Sequence, residues 1–391
     1  MSRILVGVTG GIAAYKVATV VSRLRDQGEV RVLMTRAATR FVAPLTFAAL
    51  SDAPVVTDDN FYDSGGGVPH VRLVDWAQAY VVAPCTANTF AEMALGLASN
   101  VVSATALAFR RPMVVVPAME SGMWEHPTTQ AHREALERRG VLVLEPKVGR
   151  LASGAQGVGR MPEPEEILEA VAFVLAPKDY QGVRAVVTAG PTREHLDPVR
   201  FLSNPSSGKM GYAFARCLAR RGAAVTLVSG PTGLGAPAGV EVVRVTSTEE
   251  MAKAVFRSAE GAALVVAAGA PADFRPREVA AAKIPKDGLR LLPLEPTVDI
   301  VRELAAWERR PFLVGFAAET GDVVAKAEAK RRAKGLDLIV GNDVTEEGAG
   351  FGSDRNHVHI LGPGWHEEVA GTKEAVADYI LDRIRDLLPV P

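Results

Sequence analysis

TAGPTREHLDPVRFLSNPSSGKMG, residues 188–211, follows directly on the apolar run RAVV and decides how the second half of the chain folds. A strand that ends in a glycine turn and leads into a helix is the repeating unit of a parallel α/β sheet. Gly190, Ser206, Ser207 and Gly208 leave backbone N–H groups open to a polyphosphate, and the next helix would point its N-terminus at the same anion. Taken alone, the loop is equally typical of a tight turn with a helix cap.

Two familiar nucleotide-binding motifs do not fit this loop. A P-loop requires glycine five residues before Gly208 and serine or threonine after Lys209, whereas the chain has Ser203 and Met210. The spaced glycines of a dinucleotide fingerprint are also absent. A phosphate-binding role here would therefore belong to another kind of nucleotide loop.

Short apolar runs alternate with helical patterns in both halves of the chain. Such runs are typical of parallel strands that are covered on both faces, and right-handed crossovers between them produce a doubly wound sheet. We therefore predict two doubly wound, mainly parallel, three-layer α/β domains, residues 1–181 and 182–391, with the boundary near APKDYQG (176–182). The predicted strands are RILVGV, EVRVLMT, AYVVAP and RPMVVVPA in the first half, and RAVVTAG, AAVTLVSG, ALVVAAG, PFLVGFA and LDLIVGNDV in the second.

The composition argues against several classes of protein. The 391 residues are 48% hydrophobic and 23% charged, with a formal net charge of −1, so a nucleic-acid-binding or membrane-surface protein is not expected. Cys85 and Cys217 are too few for a disulfide framework, which favours a reduced cytoplasmic compartment. The first apolar run is too short to span a bilayer, and no leader with a cleavage site is recognised. We expect a soluble, cytosolic protein.

Four further segments in the second half place polar side chains after predicted strands. Asp273 follows ALVVAAG, Phe316 and a carboxylate end PFLVGFAAET, and Asn342 and Asp343 end LDLIVGNDV. AAKIPK adds Lys283 and Lys286 beside a proline. Each segment alone reads as a capped loop or a solvated charge, but in a doubly wound sheet they meet at the carboxyl edge, where ligands bind.

The loop and these four segments closely resemble, in the same order, the phosphopantothenate–cysteine ligase family, whose loop reads TAGGTxExIDPVRxISNxSSGKMG. The resemblance covers most of residues 183–361. It implies that CTP activates the carboxylate of 4′-phosphopantothenate as an acyl-cytidylate, which cysteine then attacks. Mg²⁺ is implied because a triphosphate is bound and cleaved by charge neutralisation.

The resemblance assigns site residues by position. Asn204 corresponds to the asparagine of the acyl-cytidylate step, and Lys283 to the lysine of the flap motif KxKK. Here that motif reads KIPK and the family's NPDIV reads TVDIV, so we expect a stiffer flap rather than lost ligation. The loop residues expected at the substrate are Ser206, Ser207 and Lys209. The expected CTP contacts are Ala267, Ala268, Gly269, Asp273, Lys283, Val298, Asp299, Ile300, Val301, Phe316, Lys330 and Lys334.

The first half contains VGVTGGIAAYK (6–16), a strand–glycine–helix pattern that suits a phosphate but is equally a tight turn. With APCTAN (83–88), PAMESGMW (117–124) and GRLASGAQGVGRM (149–161), it resembles the flavin-dependent cysteine decarboxylases, in particular phosphopantothenoylcysteine decarboxylase. In bacteria this domain commonly precedes the ligase domain. The resemblance implies FMN bound by Gly10, Gly11, Thr35, Thr86, Ala87 and Asn88.

The expected decarboxylase residues include two departures from the family. His70 corresponds to the active-site histidine and Met123 to a substrate contact. Glu120 stands where the family has the asparagine of its carboxylate clamp, and Ser153 where it has the proton-donating cysteine. Because a serine hydroxyl is a far weaker acid than a thiol, these departures predict weak decarboxylation, unless Cys85 of the flavin loop supplies the proton.

Three hypotheses follow. The first is a coenzyme A biosynthetic enzyme that joins a CTP-dependent ligase to an FMN-dependent decarboxylase, the second a ligase with an impaired flavin domain, and the third a flavoprotein regulatory subunit. An intact nucleotide loop disfavours the third. The resemblance further implies a homo-oligomer, built from trimers and extending up to a dodecamer. His357 and His359 alternate along one strand, where a zinc site is not expected.

Overall fold

A computed structural model describes residues 2–61, 69–286, 291–343 and 352–388. The chain forms two compact units, Met1–Ala176 and Pro177–Pro391. Each unit has its own sheet and its own hydrophobic core.

The N-terminal unit is built on a six-stranded parallel sheet in the order β3-β2-β1-β4-β5-β6. The central strand β4 is buried along its whole length, which explains why its sequence is apolar without alternation. The strands are β1 (Ser2–Val8), β2 (Gly28–Met34), β3 (Val56–Thr57), β4 (Ala79–Cys85), β5 (Met113–Pro117) and β6 (Leu142–Val143), and β7 (Lys147–Arg150) and β8 (Gln156–Arg160) form a separate antiparallel hairpin.

Eight α-helices and one short 3₁₀ helix (Ala38–Arg40) are described in this unit, and local sequence explains several of the helix ends. Asn100 caps α5 through a reciprocal box with Ser103, and α4 ends at Gly96 in a left-handed conformation. The helices are α1 (Ala14–Arg25), α2 (Pro44–Ser51), α3 (Pro69–Trp76), α4 (Ala87–Leu95), α5 (Val101–Ala108), α6 (Ser121–Trp124), α7 (Pro127–Arg138) and α8 (Pro164–Leu175).

The C-terminal unit is built on an eight-stranded sheet in the order β13-β12-β9-β14-β17-β18-β19-β20. The first six of these strands are parallel, and the last two continue the sheet antiparallel. The sheet strands are β9 (Arg184–Ala189), β12 (Ala224–Ser229), β13 (Val240–Arg244), β14 (Leu264–Ala267), β17 (Phe312–Glu319), β18 (Leu338–Asp343), β19 (Arg355–Gly362) and β20 (Trp365–Thr372).

Two short antiparallel pairs and five helices complete the description of this unit. Ser247 and Glu250 form a reciprocal capping box at the start of α10. The short pairs are β10 (Arg193–His195) with β11 (Phe201–Ser203) and β15 (Phe274–Pro276) with β16 (Leu294–Pro296), and the helices are α9 (Lys209–Arg220), α10 (Thr248–Ala259), α11 (Ile300–Ala305), α12 (Val323–Lys334) and α13 (Lys373–Arg385).

The predicted fold class is confirmed, since both sheets are mainly parallel and carry helices between their strands. The direction of the strand order reverses between β1 and β4 in one unit and between β9 and β14 in the other. Such reversals open a crevice at the carboxyl ends of the strands, where α/β proteins bind ligands. Among the described residues, no helix has the length and apolar character needed to cross a membrane.

Candidate active sites

A cavity of about 580 Å³ opens at the carboxyl ends of β9, β14 and β17 in the C-terminal unit. It brings together segments that are far apart in the sequence, as expected for a doubly wound sheet. The sequence-predicted residues that line it are Asn204, Ser206, Ser207, Lys209, Ala267, Ala268, Gly269, Asp273, Val298, Asp299, Ile300, Val301, Phe316, Lys330 and Lys334, together with Asn342.

The serine–glycine loop is packed so closely that its glycines have no room for a side chain. Gly208 has φ +78°, and a Cβ there would lie 2.7 Å from the Thr232 methyl group and 3.2 Å from the Gly190 nitrogen. A Cβ on Gly211 would lie 2.5 Å from the carbonyl oxygen of Thr188. Helix α9 begins at Lys209; its N-cap residue, Gly208, has no side chain, and Ser207 Oγ accepts a long hydrogen bond from the Lys209 N–H (3.5 Å). The next N–H groups of the first turn, on Met210 and Gly211, are therefore placed to bind an anion.

The Asn204 side chain is oriented by the loop that follows β14. Its Nδ2 donates to the carbonyl oxygens of Ala270 (3.1 Å) and Pro271 (3.0 Å). Because two carbonyl oxygens hold the amide nitrogen, the side-chain oxygen remains available as a hydrogen-bond acceptor in the cavity.

Lys209 forms part of a charged cluster that also contains residues not predicted from the sequence. Its Nζ donates to Asp354 Oδ1 and to the carbonyl oxygen of Gly352, both at 2.7 Å. Hydrogen bonding to Lys209 lowers the pKa of the Asp354 carboxyl. Lys373 also lines the cavity and is only 7% exposed, and desolvation lowers its pKa.

Asn356 is a second cavity residue that sequence reasoning missed. It is 7% exposed, and its Oδ1 is buried without a hydrogen-bond partner in the described chain. Asn356 belongs to none of the motifs recognised in the sequence, and its burial, which indicates a ligand contact, is known only from the structure.

At another side of the cavity, α12 and the start of α11 contribute charge. Lys334 Nζ lies 3.0 Å from Asp299 Oδ2, and the Asp299 carboxylate also accepts from the Arg302 backbone N–H (3.2 Å), which caps α11. Phe316 packs edge-to-face on Phe214, with ring centroids 5.7 Å apart. This side of the cavity therefore offers an aromatic ring, Phe316, and a cation, Lys334, whose charge is partly neutralised by Asp299.

Lys283 lies outside the residues that line the cavity, and its side chain is exposed. The next residue, Ile284, is anchored by Asp197 and Arg200. Arg275 forms ion pairs with Glu249 and Glu295 rather than lining the cavity. Val344, the last residue of LDLIVGNDV, lies outside the described residues.

The expected flavin site lies at the strand-order reversal of the N-terminal unit. Thr9 ties the two neighbouring strand ends together, because its Oγ1 donates to Pro84 O (2.7 Å) and accepts from the Thr86 N–H (3.0 Å). Helices α1 and α4 start at this edge, and in the described chain neither N-terminus has a side-chain cap. Gly10 and Gly11 precede α1, and Ala87 and Asn88 form the first turn of α4.

The segment that contains Thr35 packs against the same glycines. A Cβ on Gly10 would lie 2.3 Å from the Ala37 Cβ, so only glycine allows this approach. Thr35 Oγ1 accepts from the backbone N–H of Ala38 (3.2 Å), which shapes the turn after β2. Two uncapped helix starts and a glycine turn together supply the N–H donors that a phosphate group requires.

His70 lies in the first turn of α3. Its ring packs against Phe61, with centroids 5.7 Å apart, and its Nδ1 is buried without a partner in the described part of the chain. A buried ring nitrogen that has no protein partner suits a ligand contact better than a purely structural role.

Glu120 and Ser153, the two departures from the decarboxylase pattern, contact each other. The Ser153 hydroxyl donates to Glu120 Oε2 at 3.1 Å. Both residues are exposed, as is Met123 on α6.

Cys85, the alternative proton donor considered above, is fully buried at the end of β4. Burial raises the pKa of its thiol well above the usual range. It is therefore a poorer acid than an ordinary cysteine.

Metal ligands are not gathered in the parts of the chain that the structure describes, where no three histidine, cysteine or carboxylate residues stand in metal-binding geometry. The histidines on β19 pair locally instead. His357 contacts Glu368 (2.6 Å), and His359 Nδ1 lies 3.1 Å from His366 Nε2.

Two family models cover the two units. Residues 1–175 match the Flavoprotein family, and residues 180–388 match the DNA/pantothenate metabolism flavoprotein C-terminal domain family. Among solved structures, the chain is similar to the C-terminal domain of a coenzyme A biosynthesis bifunctional protein CoaBC (40% identity, TM-score 0.47, 54% of this chain and 97% of that one). It is also similar to the FMN binding protein AtHal3 (32% identity, TM-score 0.39, 44% of this chain and 94% of that one).

Curated relatives match over nearly the whole length. The coenzyme A biosynthesis bifunctional protein CoaBC of Mycobacterium bovis is 45% identical, over 98% of this chain and 96% of that protein. The protein of the same name from Bacillus subtilis is 43% identical, over 92% and 90%. The one from Vibrio parahaemolyticus is 40% identical, over 99% and 98%. With two domain models in the same order and full-length relatives of one name, this chain belongs to the family of coenzyme A biosynthesis bifunctional proteins CoaBC.

Proposed function

We propose that the two units of this bifunctional coenzyme A biosynthesis enzyme catalyse successive reactions. The C-terminal unit condenses 4′-phosphopantothenate with cysteine at the expense of CTP, and the N-terminal unit decarboxylates the product to 4′-phosphopantetheine with FMN. Family membership does not favour the two alternatives, a ligase with an impaired flavin domain and a regulatory subunit. The observation that carries the proposal is a cavity that collects the nucleotide loop and the ends of β14, β17 and α12.

In the ligase reaction, two anions must be brought together, and the cavity supplies the required positive charge. The N-terminal turn of α9 and Lys209 would hold phosphate groups, while Lys330 and Lys334 would act at the other side. Asn204, oriented by two carbonyls, would present its side-chain oxygen to the acyl-cytidylate. Lys283 would reach the developing charge from the exposed segment beside the cavity.

Mg²⁺ would accompany CTP in this cavity. The oxygen-bearing side chains that line it, Asp273, Asp299 and Asn342, have the chemistry that Mg²⁺ prefers, and phosphates usually supply the remaining ligands. The absence of a preformed cluster of three protein ligands in the described chain is compatible with a metal that arrives with its nucleotide.

The N-terminal unit fits FMN. The uncapped N-termini of α1 and α4 and the close packing of Gly10 form a cradle for the phosphate at the carboxyl edge of β1 and β4. Thr35, Thr86, Ala87 and Asn88 surround that edge. When bound, the flavin would accept two electrons from the cysteinyl thiol carbon and later return them. His70 would contact the substrate through its unpartnered nitrogen.

We expect a cytoplasmic homo-oligomer, built from trimers and extending up to a dodecamer. Its expected partners are small-molecule substrates, with neither nucleic acid nor membrane among them. Light scattering on a sizing column measures the mass directly. A monomeric mass at micromolar concentration would contradict the assembly.

One experiment tests the reaction sequence. The FMN-loaded protein is incubated with 4′-phosphopantothenate, cysteine, CTP and Mg²⁺, and the products are identified by mass spectrometry. We expect 4′-phosphopantetheine, CMP, pyrophosphate and CO₂. Accumulation of the condensed cysteine adduct alone would limit the enzyme to ligation, and the absence of both products would contradict the proposal.

A further inference from the structure

Glu120 and Ser153 form a hydrogen-bonded pair on the N-terminal unit, with Ser153 Oγ donating to Glu120 Oε2 at 3.1 Å. The Ser153 hydroxyl oxygen also accepts a hydrogen bond from the Ala155 backbone N–H (3.4 Å). The hydroxyl thus accepts from the backbone and donates to the Glu120 carboxylate. Glu120 and Ser153, the two positions that differ from the decarboxylase pattern, are thus direct neighbours, and the two replacements change the same part of the site.

The backbone holds this pair in place. The Met119 N–H donates to Gly159 O (3.0 Å), which joins the β7–β8 hairpin to the segment before α6. A Cβ on Gly159 would lie 2.1 Å from Met119 O, and a Cβ on Gly157 would lie 2.1 Å from Ser121 Oγ. Because both glycines let the hairpin approach this closely, the turn that carries Ser153 is brought to Glu120.

The surroundings leave Glu120 as the acid at this point. A serine hydroxyl is a weak acid, and Cys85 is buried with a raised pKa. The charged side chains of the hairpin packed against α6 are Lys147, Arg150 and Arg160, of which Lys147 pairs with Glu166 and Arg160 with Glu163 (2.6 Å). Glu125 follows α6.

We propose that Glu120 is the proton donor of the decarboxylase reaction and that Ser153 is the residue that positions it. The inference rests on the proposed function. Binding of the substrate carboxylate at the clamp position would bring two carboxyl groups together, and one proton shared between them would remove the repulsion that two carboxylates have. When CO₂ leaves, the same proton faces the carbon that lost it.

Bound FMN would take up the two electrons that the cysteinyl CH₂–SH group loses as it becomes a thioaldehyde. Breaking of the Cα–CO₂ bond would then leave its electron pair in an enethiolate. A proton from Glu120 forms the new Cα–H bond and regenerates the thioaldehyde. The thioaldehyde would become the product thiolate by regaining the two electrons, as a hydride equivalent, that bound FMN would have held. The Glu120 carboxylate regains its proton from solvent, to which it is exposed.

A binding measurement tests the protonation without turnover. The FMN-loaded full-length protein is titrated with 4′-phosphopantothenoylserine, in which a hydroxyl replaces the reactive thiol, in buffers of different ionisation enthalpy. We expect uptake of about one more proton per site by the wild type than by Glu120→Gln. Equal proton uptake in the two proteins would overturn the inference.

A single-turnover measurement tests the proton transfer. In Glu120→Gln, which keeps a hydrogen-bond donor but has no acidic proton, we expect CO₂ release, lasting flavin bleaching and an enethiol detected by mass. Flavin reoxidation should slow by roughly 2–4 powers of ten. Ser153→Ala should slow it less, and Glu120→Asn with Ser153→Cys should restore it. The inference would be overturned if the flavin of Glu120→Gln were reoxidised at the wild-type rate, or if Ser153→Ala stalled and Glu120→Gln did not. A wild type that neither bleaches nor releases CO₂ would instead contradict the proposed function.

Discussion

The buried carboxylate of Asp197 accepts a hydrogen bond from the backbone N–H of Ile284 (3.2 Å), the residue after Lys283. Arg200, which forms an ion pair with Asp197, donates a hydrogen bond to the carbonyl oxygen of Ile284 (2.7 Å). Both backbone groups of Ile284 are thus held, and Pro285 restricts the chain immediately beyond. The exposed Lys283 side chain therefore extends from an anchored backbone.

Replacing Asp197 by Asn should loosen this anchor and slow acyl-cytidylate formation. Because a displacement of about 1 Å can lower a rate roughly 100-fold, we expect kcat of ligation to fall by up to about that factor, with less change in KM for CTP. Steady-state release of pyrophosphate measures both. Glu278→Gln, an exposed change on the same segment, is the matched control. Equal rates in the two variants would show that the anchor does not position Lys283.

The same carboxyl makes a pH-dependent contribution to stability. Hydrogen bonds from Arg200 hold the pKa of Asp197 well below its usual range. A depressed native pKa stabilises the fold above the unfolded pKa of about 3.9, and this stabilisation is lost as the pH falls toward the native pKa. We expect the difference in urea midpoint between wild type and Asp197→Asn to shrink from pH 7 to pH 3. A difference that grew over this range would contradict the sign.

Asn204→Asp should block ligation more severely than Lys283→Gln. The substitution places a carboxylate oxygen 3.0–3.1 Å from two carbonyl oxygens that now accept from Asn204 Nδ2, and it adds a negative charge facing an acyl phosphate. Lys283→Gln removes only one cation, so a slower reaction is expected instead. Quenched-flow detection of the acyl-cytidylate separates these outcomes. Condensation at the wild-type rate in both variants would show that neither Asn204 nor Lys283 takes part in ligation.

Asp354 lies 2.7 Å from the Lys209 ammonium, so in the proposed site it would compete with the substrate phosphate for this cation. Asp354→Asn should therefore tighten binding of 4′-phosphopantothenate, by roughly two- to tenfold for an exposed pair. Lys209→Met should weaken it by about 10- to 100-fold, through loss of a charge-assisted hydrogen bond. Calorimetric titration with 4′-phosphopantothenate measures both constants. Weaker binding in Asp354→Asn would mean that the carboxylate supports the site.

Flavin binding should depend on Gly10. Purified protein should be yellow and release FMN on denaturation, whereas Gly10→Ala should lose FMN because the new methyl group would lie 2.3 Å from the Ala37 Cβ. Gly122→Ala, with no heavy atom within 4 Å of its new Cβ, is the control and should bind FMN normally. Released FMN is quantified by absorbance. A colourless wild type that takes up no added FMN would contradict the flavin site.

Much of the fold follows from the sequence because buried parallel strands are apolar on both faces. RAVVTAG, ALVVAAG and LDLIVGNDV coincide with β9, β14 and β18 for this reason. The antiparallel pairs β10–β11 and β15–β16 were not predicted, since three-residue strands are too short to show a period.

The sequence by itself determined the two α/β units, their order and the nucleotide loop, because hydrophobic periodicity and glycine turns are local properties. Only the tertiary structure decided that Asn356 and Lys373, from β19 and α13, line the cavity that starts at β9. It also decided that Ser153 meets Glu120 and that Cys85 is fully buried. Such relationships depend on close packing between segments distant in the chain, and burial and hydrogen-bond partners are established only when those segments meet.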